Sequence, residues 1–119
     1  MDRLAVEGGV ELRGRLAISG AKNAALPILA ATLLLEGETR LEEVPDLRDI
    51  RTMLRLLRVL GAEVERNADG SVTVAVTDPS AVEAPYEIVK EMRASFCVLG
   101  ALLARRGQAR VSLPGGCNL

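Results

Sequence analysis

The sequence has no histidine, and its 119 residues include only two cysteines, two lysines and 2% aromatic residues. Without histidine, neither a Ser-His-Asp triad nor a Cys-His pair is available for catalysis. Cys97 and Cys117 stand apart, so they form neither a paired zinc motif nor a secreted disulfide framework. We therefore expect no metal, and acid–base chemistry must come from Cys, Lys, Arg, Asp, Glu or the single tyrosine, Tyr86.

The sequence also has no excess of either charge, since 15 Lys+Arg balance 16 Asp+Glu to a net charge of -1. Nucleic acid is disfavoured as a partner, because both a cationic excess and stacking aromatic side chains are missing. The longest apolar stretch, residues 24–35, is too short to cross a bilayer. No signal peptide opens the sequence. These features predict a cytoplasmic globular domain without a membrane or nucleic-acid partner.

The apolar pattern predicts alternating strands and helices. The expected strands are residues 4–6, 10–18, 39–44, 62–65, 71–77 and 109–113. The expected helices are residues 24–35, a second helix opened by Pro45 with Asp46 as its N-cap, and residues 86–106 with a break near Met92 and Arg93. The second helix has an apolar stripe and should stop at Gly61, and residues 62–65 and 71–77 should form a hairpin.

An internal repeat suggests the architecture. At an offset of 70 positions, the residues that recur include Ala24 as Ala94, Leu29 as Leu99, Gly37 as Gly107 and Arg40 as Arg110. Each copy combines an apolar helix, a glycine stop and a strand. The repeat predicts an α/β fold built of repeated units that bury shared helices.

The strand-to-helix turn at residues 18–25 is a candidate anion site. A helix start carries partial positive charge, and Lys22 adds a full charge there. The turn matches neither nucleotide-binding glycine motif, so an ordinary turn with a solvated lysine stays open. The repeat aligns Arg93 with Asn23, which favours the anion site, although Arg93 could be a surface charge beside Glu91.

The two cysteines have different predicted roles. Cys97 lies in an apolar helical run and is expected to be an inert core residue. Cys117 follows a Leu-Pro-Gly-Gly segment, where an exposed thiol could act as a nucleophile or an acid. The alternative for Cys117 is a loop cysteine without a chemical role.

Three motifs, at residues 18–27 (ISGAKNAALP), 84–95 (APY and MRAS) and 112–117 (SLPGGC), carry a resemblance to a known family. In this order they resemble the N-terminal part of the enolpyruvyl transferases, specifically the UDP-N-acetylglucosamine 1-carboxyvinyltransferases. The 5-enolpyruvylshikimate-3-phosphate synthases share the architecture but lack the Pro-Gly-Gly-Cys loop, so they rank second. A non-catalytic domain that binds a phosphorylated ligand is the alternative from another class.

The resemblance implies part of an inside-out α/β barrel, with repeated α/β units around buried helices. Residues 1–20 would be strands that belong with an absent second domain, and residues 21–119 the incomplete first part of the other domain. The remainder of its own chain is therefore an expected partner, and the 119 residues alone are expected to be inactive.

The resemblance also implies a reaction and its residues. The 3-hydroxyl of UDP-N-acetylglucosamine would add to phosphoenolpyruvate with release of phosphate, the first committed step of peptidoglycan synthesis, without metal or organic cofactor. Lys22 and Asn23 would contact phosphoenolpyruvate, and Arg93 would bind where it meets the UDP-sugar. Cys117 would protonate the enolpyruvyl methylene carbon and react with the antibiotic fosfomycin.

Overall fold

The computed structural model describes residues 3–113, which form a mixed α/β fold. The helices are α1 (Lys22–Ala31), α2 (Arg48–Val59), α3 (Tyr86–Val89) and α4 (Val98–Arg106), with 3-10 helices at Thr32–Leu34 and Arg93–Cys97. The strands are β1 (Glu38–Leu41), β2 (Ala62–Arg66), β3 (Val72–Val76), β4 (Glu83–Ala84) and β5 (Arg110–Val111). The predicted α/β class is confirmed.

The apolar stripe of α2 forms the centre of the core, as predicted. Its buried members are Ile50, Met53, Leu54, Leu57 and Leu60. Gly61 ends the helix with a φ of 84°, a backbone conformation that favours glycine. A β-carbon on Gly61 would lie 2.0 Å from the carbonyl oxygen of Asp78. Gly61 therefore satisfies both a left-handed backbone and a close approach of the next loop.

The predicted N-cap of α2 is wrong. The helix begins at Arg48, after an extended Leu47, and no side chain caps it. The Asp46 carboxylate instead accepts hydrogen bonds from Nε and Nη2 of Arg51, at 2.7 Å and 2.6 Å. Leu47 therefore occupies the N-cap position, and the carboxylate of Asp46, one residue earlier, makes its charge-assisted hydrogen bonds to Arg51 instead.

The larger sheet has three strands in the order β1-β3-β2. Both outer strands run antiparallel to β3, and Val74 of β3 lies opposite Thr39 on one side and Val64 on the other. Strands β1 and β2 therefore run parallel and are joined through α2, while β2 and β3 form the predicted hairpin. A separate sheet pairs β4 with β5 in parallel.

Helix α1 packs against α2 and α4, and its 3-10 extension contacts α4 and β3. Leu26, Leu29 and Ala30 are buried on this side, but Ile28 is 50% exposed. The apolar sequence predicts burial almost all round the helix, which is wrong within the described part of the chain. The reason is that none of residues 3–113 covers the face that carries Ile28.

The predicted break near Met92 is confirmed, and it changes the helical period. A 3-10 helix aligns residues three apart, and Met92, Ser95 and Val98 are all buried. Cys97 falls off this ridge and is exposed. The prediction of a buried core cysteine, made from its apolar neighbours, is therefore wrong, because Cys97 lies on the side of the helix that faces away from the buried ridge.

Residues 3–20 contain no strand, contrary to the prediction. The apolar side chains of the predicted strand are exposed, with Leu12 at 92% and Ile18 at 91%. A strand requires a hydrogen-bonding neighbour, and no described element lies beside this arm. The assignment of residues 1–20 to a second domain stays a prediction.

Candidate functional site

The site is built where the arm meets the body of the protein, at Gly20. A β-carbon on Gly20 would lie 2.0 Å from the carbonyl oxygen of Glu43, so only glycine allows this backbone approach. Glu43 itself has a φ of 53°, in the left-handed region. The contact fixes residues 18–20 against the loop between β1 and α2, with an open groove on either side.

Arg66 holds that loop from the other side. Its guanidinium donates to the carbonyl oxygens of Val44 at 3.1 Å, Pro45 at 3.3 Å and Gly70 at 3.3 Å. These bonds tie the loop to the tip of the β2–β3 hairpin. The start of α2 is therefore positioned relative to Gly20 and to α1.

Lys22 is the first residue of α1, directly after the close approach at Gly20. The preceding Ala21 is extended, and no side chain caps the helix. Lys22 Nζ donates to Oδ2 of Asp49, in the first turn of α2, at 2.6 Å. The two side chains are 42% and 32% exposed. Asn23, the next residue of α1, is also exposed. A cation and an amide thus stand at the open start of this helix.

Arg93 is the first residue of the 3-10 helix Arg93–Cys97, and this helix packs against α1. Arg93 is exposed. The carboxylate of neighbouring Glu91 accepts a hydrogen bond from Arg55 at 2.8 Å, and this bond holds the pKa of Glu91 below its ordinary value. The acid next to Arg93 is therefore paired with another helix, which weakens the interpretation of Arg93 as one half of a local surface pair.

Lys90, by contrast, belongs to a local pair, as the sequence predicts. Its ammonium bonds the carboxylate of Glu87 and lies 5.5 Å from the centroid of the Tyr86 ring. The hydrogen bond that Lys90 donates to Glu87 raises the pKa of Lys90. Lys22 and Lys90, the two lysines, are thus both bound to carboxylates but on separate elements.

Cys117 and its Pro-Gly-Gly loop lie outside the described residues, so its predicted role stays a prediction. Within residues 3–113, no three or more His, Cys, Asp or Glu side chains are grouped to hold a metal ion. No helix in the same range combines the length and hydropathy needed to cross a membrane.

Two residues of the site escaped the sequence analysis. Asp49 is separated from Lys22 by 27 positions, and only its place in the first turn of α2 could have drawn attention to it. Arg66 is the last residue of β2, and nothing in the sequence indicates that it donates hydrogen bonds to three carbonyl oxygens. Both depend on how α1, α2 and the hairpin pack together.

A lysine-bearing helix start thus lies beside a β-α-β unit whose two strands both pair with β3. Residues 6–119 match the family described as EPSP synthase (3-phosphoshikimate 1-carboxyvinyltransferase). The chain therefore belongs to this enolpyruvyl transferase family. In solved structures, it is similar to the enolpyruvyl transferase NikO from Streptomyces tendae, with a TM-score of 0.68 and 27% identity over 84% of this chain and 23% of that one.

More similar relatives have a more specific name. The chain is 60% identical over 121 aligned residues to UDP-N-acetylglucosamine 1-carboxyvinyltransferase of Anaeromyxobacter sp. (strain K), covering all of this chain and 29% of that protein. It is 56% identical to UDP-N-acetylglucosamine 1-carboxyvinyltransferase 2 of Carboxydothermus hydrogenoformans, covering all of this chain and 28% of the relative. The predicted family resemblance is confirmed, and the chain spans less than a third of the length of these relatives.

Proposed function

We propose that these residues form the N-terminal part of a cytoplasmic UDP-N-acetylglucosamine 1-carboxyvinyltransferase. The observation that carries the proposal is the 60% identity, over the whole chain, to a relative of that name. The reaction transfers the enolpyruvyl group of phosphoenolpyruvate to the 3-hydroxyl of the UDP-sugar. It serves peptidoglycan synthesis, and through it cell shape and division, without a membrane or nucleic-acid partner.

Charge supports a role for the start of α1 in this reaction. Phosphoenolpyruvate brings a phosphate and a carboxylate into one small volume, and helix starts with cations offset such charge. Lys22 and Asn23 supply an ammonium and an amide there, and Arg93 supplies a guanidinium on the helix packed against α1. We assign Lys22 and Asn23 to phosphoenolpyruvate and Arg93 to its junction with the UDP-sugar.

Cys117 is proposed as the acid. The oxygen of the sugar hydroxyl bonds to C2 of phosphoenolpyruvate and gives up its proton, which ends on the phosphate that is later released. The thiol proton meanwhile moves to the C3 methylene and leaves a thiolate. The tetrahedral product then loses phosphate, and a proton returns from C3 to restore the double bond. A thiol in a glycine-rich loop can approach C3 as the site closes and excludes water. The same thiol would be alkylated by the epoxide fosfomycin.

The proposal requires more protein than these residues. The exposed arm of residues 3–20, with Leu12 at 92% and Ile18 at 91% exposure, would pair with the second domain. Gly20, two residues before Lys22, would mark the crossover. The remainder of the chain would supply the opposite wall of the site, so the 119 residues alone should release no phosphate.

The test uses a full-length hybrid, in which residues 1–119 replace the matching segment of the Anaeromyxobacter sp. (strain K) relative. We expect it to release phosphate only when both phosphoenolpyruvate and UDP-N-acetylglucosamine are present. Cys117→Ser should remove this activity, while the matched variant Cys97→Ser should keep it. A hybrid that releases no phosphate, or a Cys117→Ser variant with unchanged turnover, contradicts the proposal.

The second candidate function is transfer to 3-phosphoshikimate, which the description of the matched family favours. The same hybrid separates the two when shikimate 3-phosphate replaces the UDP-sugar. Phosphate release with shikimate 3-phosphate alone would support this candidate. Binding of phosphoenolpyruvate without turnover of either acceptor would instead support a non-catalytic phospho-ligand domain.

A further inference from the structure

The ion pair between Lys22 and Asp49 joins the starts of two helices. Lys22 opens α1, and Asp49 lies in the first turn of α2. Their polar atoms are 2.6 Å apart, within the range of a charge-assisted hydrogen bond. Both side chains are partly exposed, at 42% and 32%, so the pair is accessible to a ligand from solvent.

The pair contributes little to stability as such, because water screens exposed ion pairs and ordering their side chains costs entropy. Its geometry has a different consequence. An ammonium has three donors, and Asp49 uses one, which leaves two for oxygens of a ligand. A lysine side chain is otherwise free in four torsions, and ordering it costs free energy when a ligand binds.

The support for Asp49 is unusually firm for a surface acid. Gly20 and Arg66 support the loop that leads into α2, Gly20 through a backbone contact with Glu43 that leaves no room for a β-carbon, and Arg66 through its bonds to Val44 and Pro45. Asp49 therefore stands on a positioned helix start, and Lys22 and Asp49 belong to two helices that pack against each other.

We propose that Asp49 is a positioning residue, which holds the Lys22 ammonium ready for the phosphate of phosphoenolpyruvate. This inference rests on the proposed function. Asp49 touches no reacting atom, and it acts by removing the ordering cost of Lys22 before the substrate arrives. The competing effect is that a nearby carboxylate repels an anionic substrate. The two effects predict opposite changes in KM, so the sign of the change decides between them.

The kinetic arm uses the full-length hybrid. Asp49→Ala should raise the KM for phosphoenolpyruvate roughly tenfold, while kcat and the KM for the UDP-sugar change by less than about twofold. In a Lys22→Ala background, Asp49→Ala should have no further effect, since its action runs through Lys22. The matched control is Asp46→Ala, which removes another ion-paired acid just before α2 and leaves Lys22 untouched.

The second arm needs no turnover. The hybrid is labelled with 13C-lysine for NMR, and the signal of Lys22 is assigned as the one that disappears in Lys22→Arg. The two ε-methylene protons of Lys22 should have different chemical shifts while Asp49 orders the side chain. Their two signals should merge in Asp49→Ala and should stay separate in Asp46→Ala. Merged ε-methylene signals in Asp49→Ala support the inference even if the hybrid is inactive. An inactive hybrid would contradict only the proposed function.

Any of three results overturns the inference. The first is a KM for phosphoenolpyruvate that is unchanged or lower in Asp49→Ala, which would show that the carboxylate has no positioning role or repels the substrate. The second is a Lys22 methylene signal that is the same with and without Asp49. Equal losses in Asp49→Ala and Asp46→Ala would also overturn it, because both would then reflect the stability of α2.

Discussion

The backbone of Gly20 approaches Glu43 so closely that a β-carbon at residue 20 would lie 2.0 Å from the Glu43 carbonyl oxygen. The contact lies between the exposed arm and Lys22, so it sets where the arm leaves the body of the protein. Because the opposing atom belongs to the backbone, no side-chain rotation can relieve a clash. The arrangement of the site therefore requires a residue without a side chain at position 20.

We expect Gly20→Ala to lower the free energy of unfolding by about 1–3 kcal/mol, the usual cost of forcing extra volume into a packed contact. The matched control is Gly14→Ala in the same arm, where a β-carbon would meet nothing within 4 Å. Urea unfolding of both variants measures the difference. Equal midpoints for the two variants would show that the contact at Gly20 does not constrain the protein.

Arg106 joins three parts of the chain at the end of α4. Its guanidinium donates to the carbonyl oxygen of Leu60 at 2.8 Å and to that of Ala81, and burial lowers its pKa. Arg106→Ala leaves both carbonyls without this donor, so we expect a loss of about 1–3 kcal/mol in unfolding free energy. The adjacent Arg105→Ala removes only an exposed ion pair with Glu36 and should cost less than about 1 kcal/mol. Thermal unfolding that ranks the two variants the other way would contradict this assignment.

The α2 stripe provides a test of the core. Leu57 is fully buried, whereas Val59 on the same helix is 45% exposed. Leu57→Ala leaves a cavity between α2 and its neighbours, and we expect a loss of about 2–5 kcal/mol. Val59→Ala should stay within about 0.5 kcal/mol, since exposed substitutions away from special features have small effects. Denaturant unfolding of the two variants measures the difference. Similar losses of unfolding free energy in Leu57→Ala and Val59→Ala would show that Leu57 is not part of the core.

The elements that are predicted correctly have local signals in the sequence. The α2 stripe, the stop at Gly61 and the β2–β3 hairpin follow from spacing and turn residues within a few positions of one another. The two helix starts that the repeat aligns are present, since α1 begins at Lys22 and a 3-10 helix begins at Arg93. Family membership followed from three short motifs, one of which contains Lys22.

The failures depend on contacts that spacing does not encode. The alternation that ends at Ile18 indicates which side chains would be buried in a strand, but it cannot supply the neighbouring strand. Asp46 bonds Arg51 rather than the helix start, and only the folded geometry decides between those partners. Cys97 is exposed because it lies off the ridge of Met92, Ser95 and Val98 that faces the core. Asp49 meets Lys22 only once α1 and α2 have packed.

Acid should weaken the β2–β3 hairpin through Asp69. The hydroxyl and amide of Ser71 donate to its carboxylate at 2.7 Å and 3.0 Å. These bonds, together with the Arg40 guanidinium, lower the pKa of Asp69 below its ordinary value of 3.8. In the pH range between the folded and unfolded pKa values, the unfolded chain binds more protons. The stabilisation from Asp69 is therefore complete above about pH 4 and is lost as the pH falls through the folded value.

Asp69→Asn should consequently lower stability at pH 7 and make the loss of stability below about pH 4 shallower. Ser71→Ala should act in the same direction, because it removes the hydroxyl that contributes most to the shift. Asp78 has the same arrangement with Ser80, so Asp69→Asn should reduce the acid sensitivity without abolishing it, and adding Asp78→Asn should reduce it further. Urea midpoints measured between pH 7 and about pH 2.5 give these slopes. A slope in Asp69→Asn as steep as in the unsubstituted protein would assign the acid response to other carboxylates.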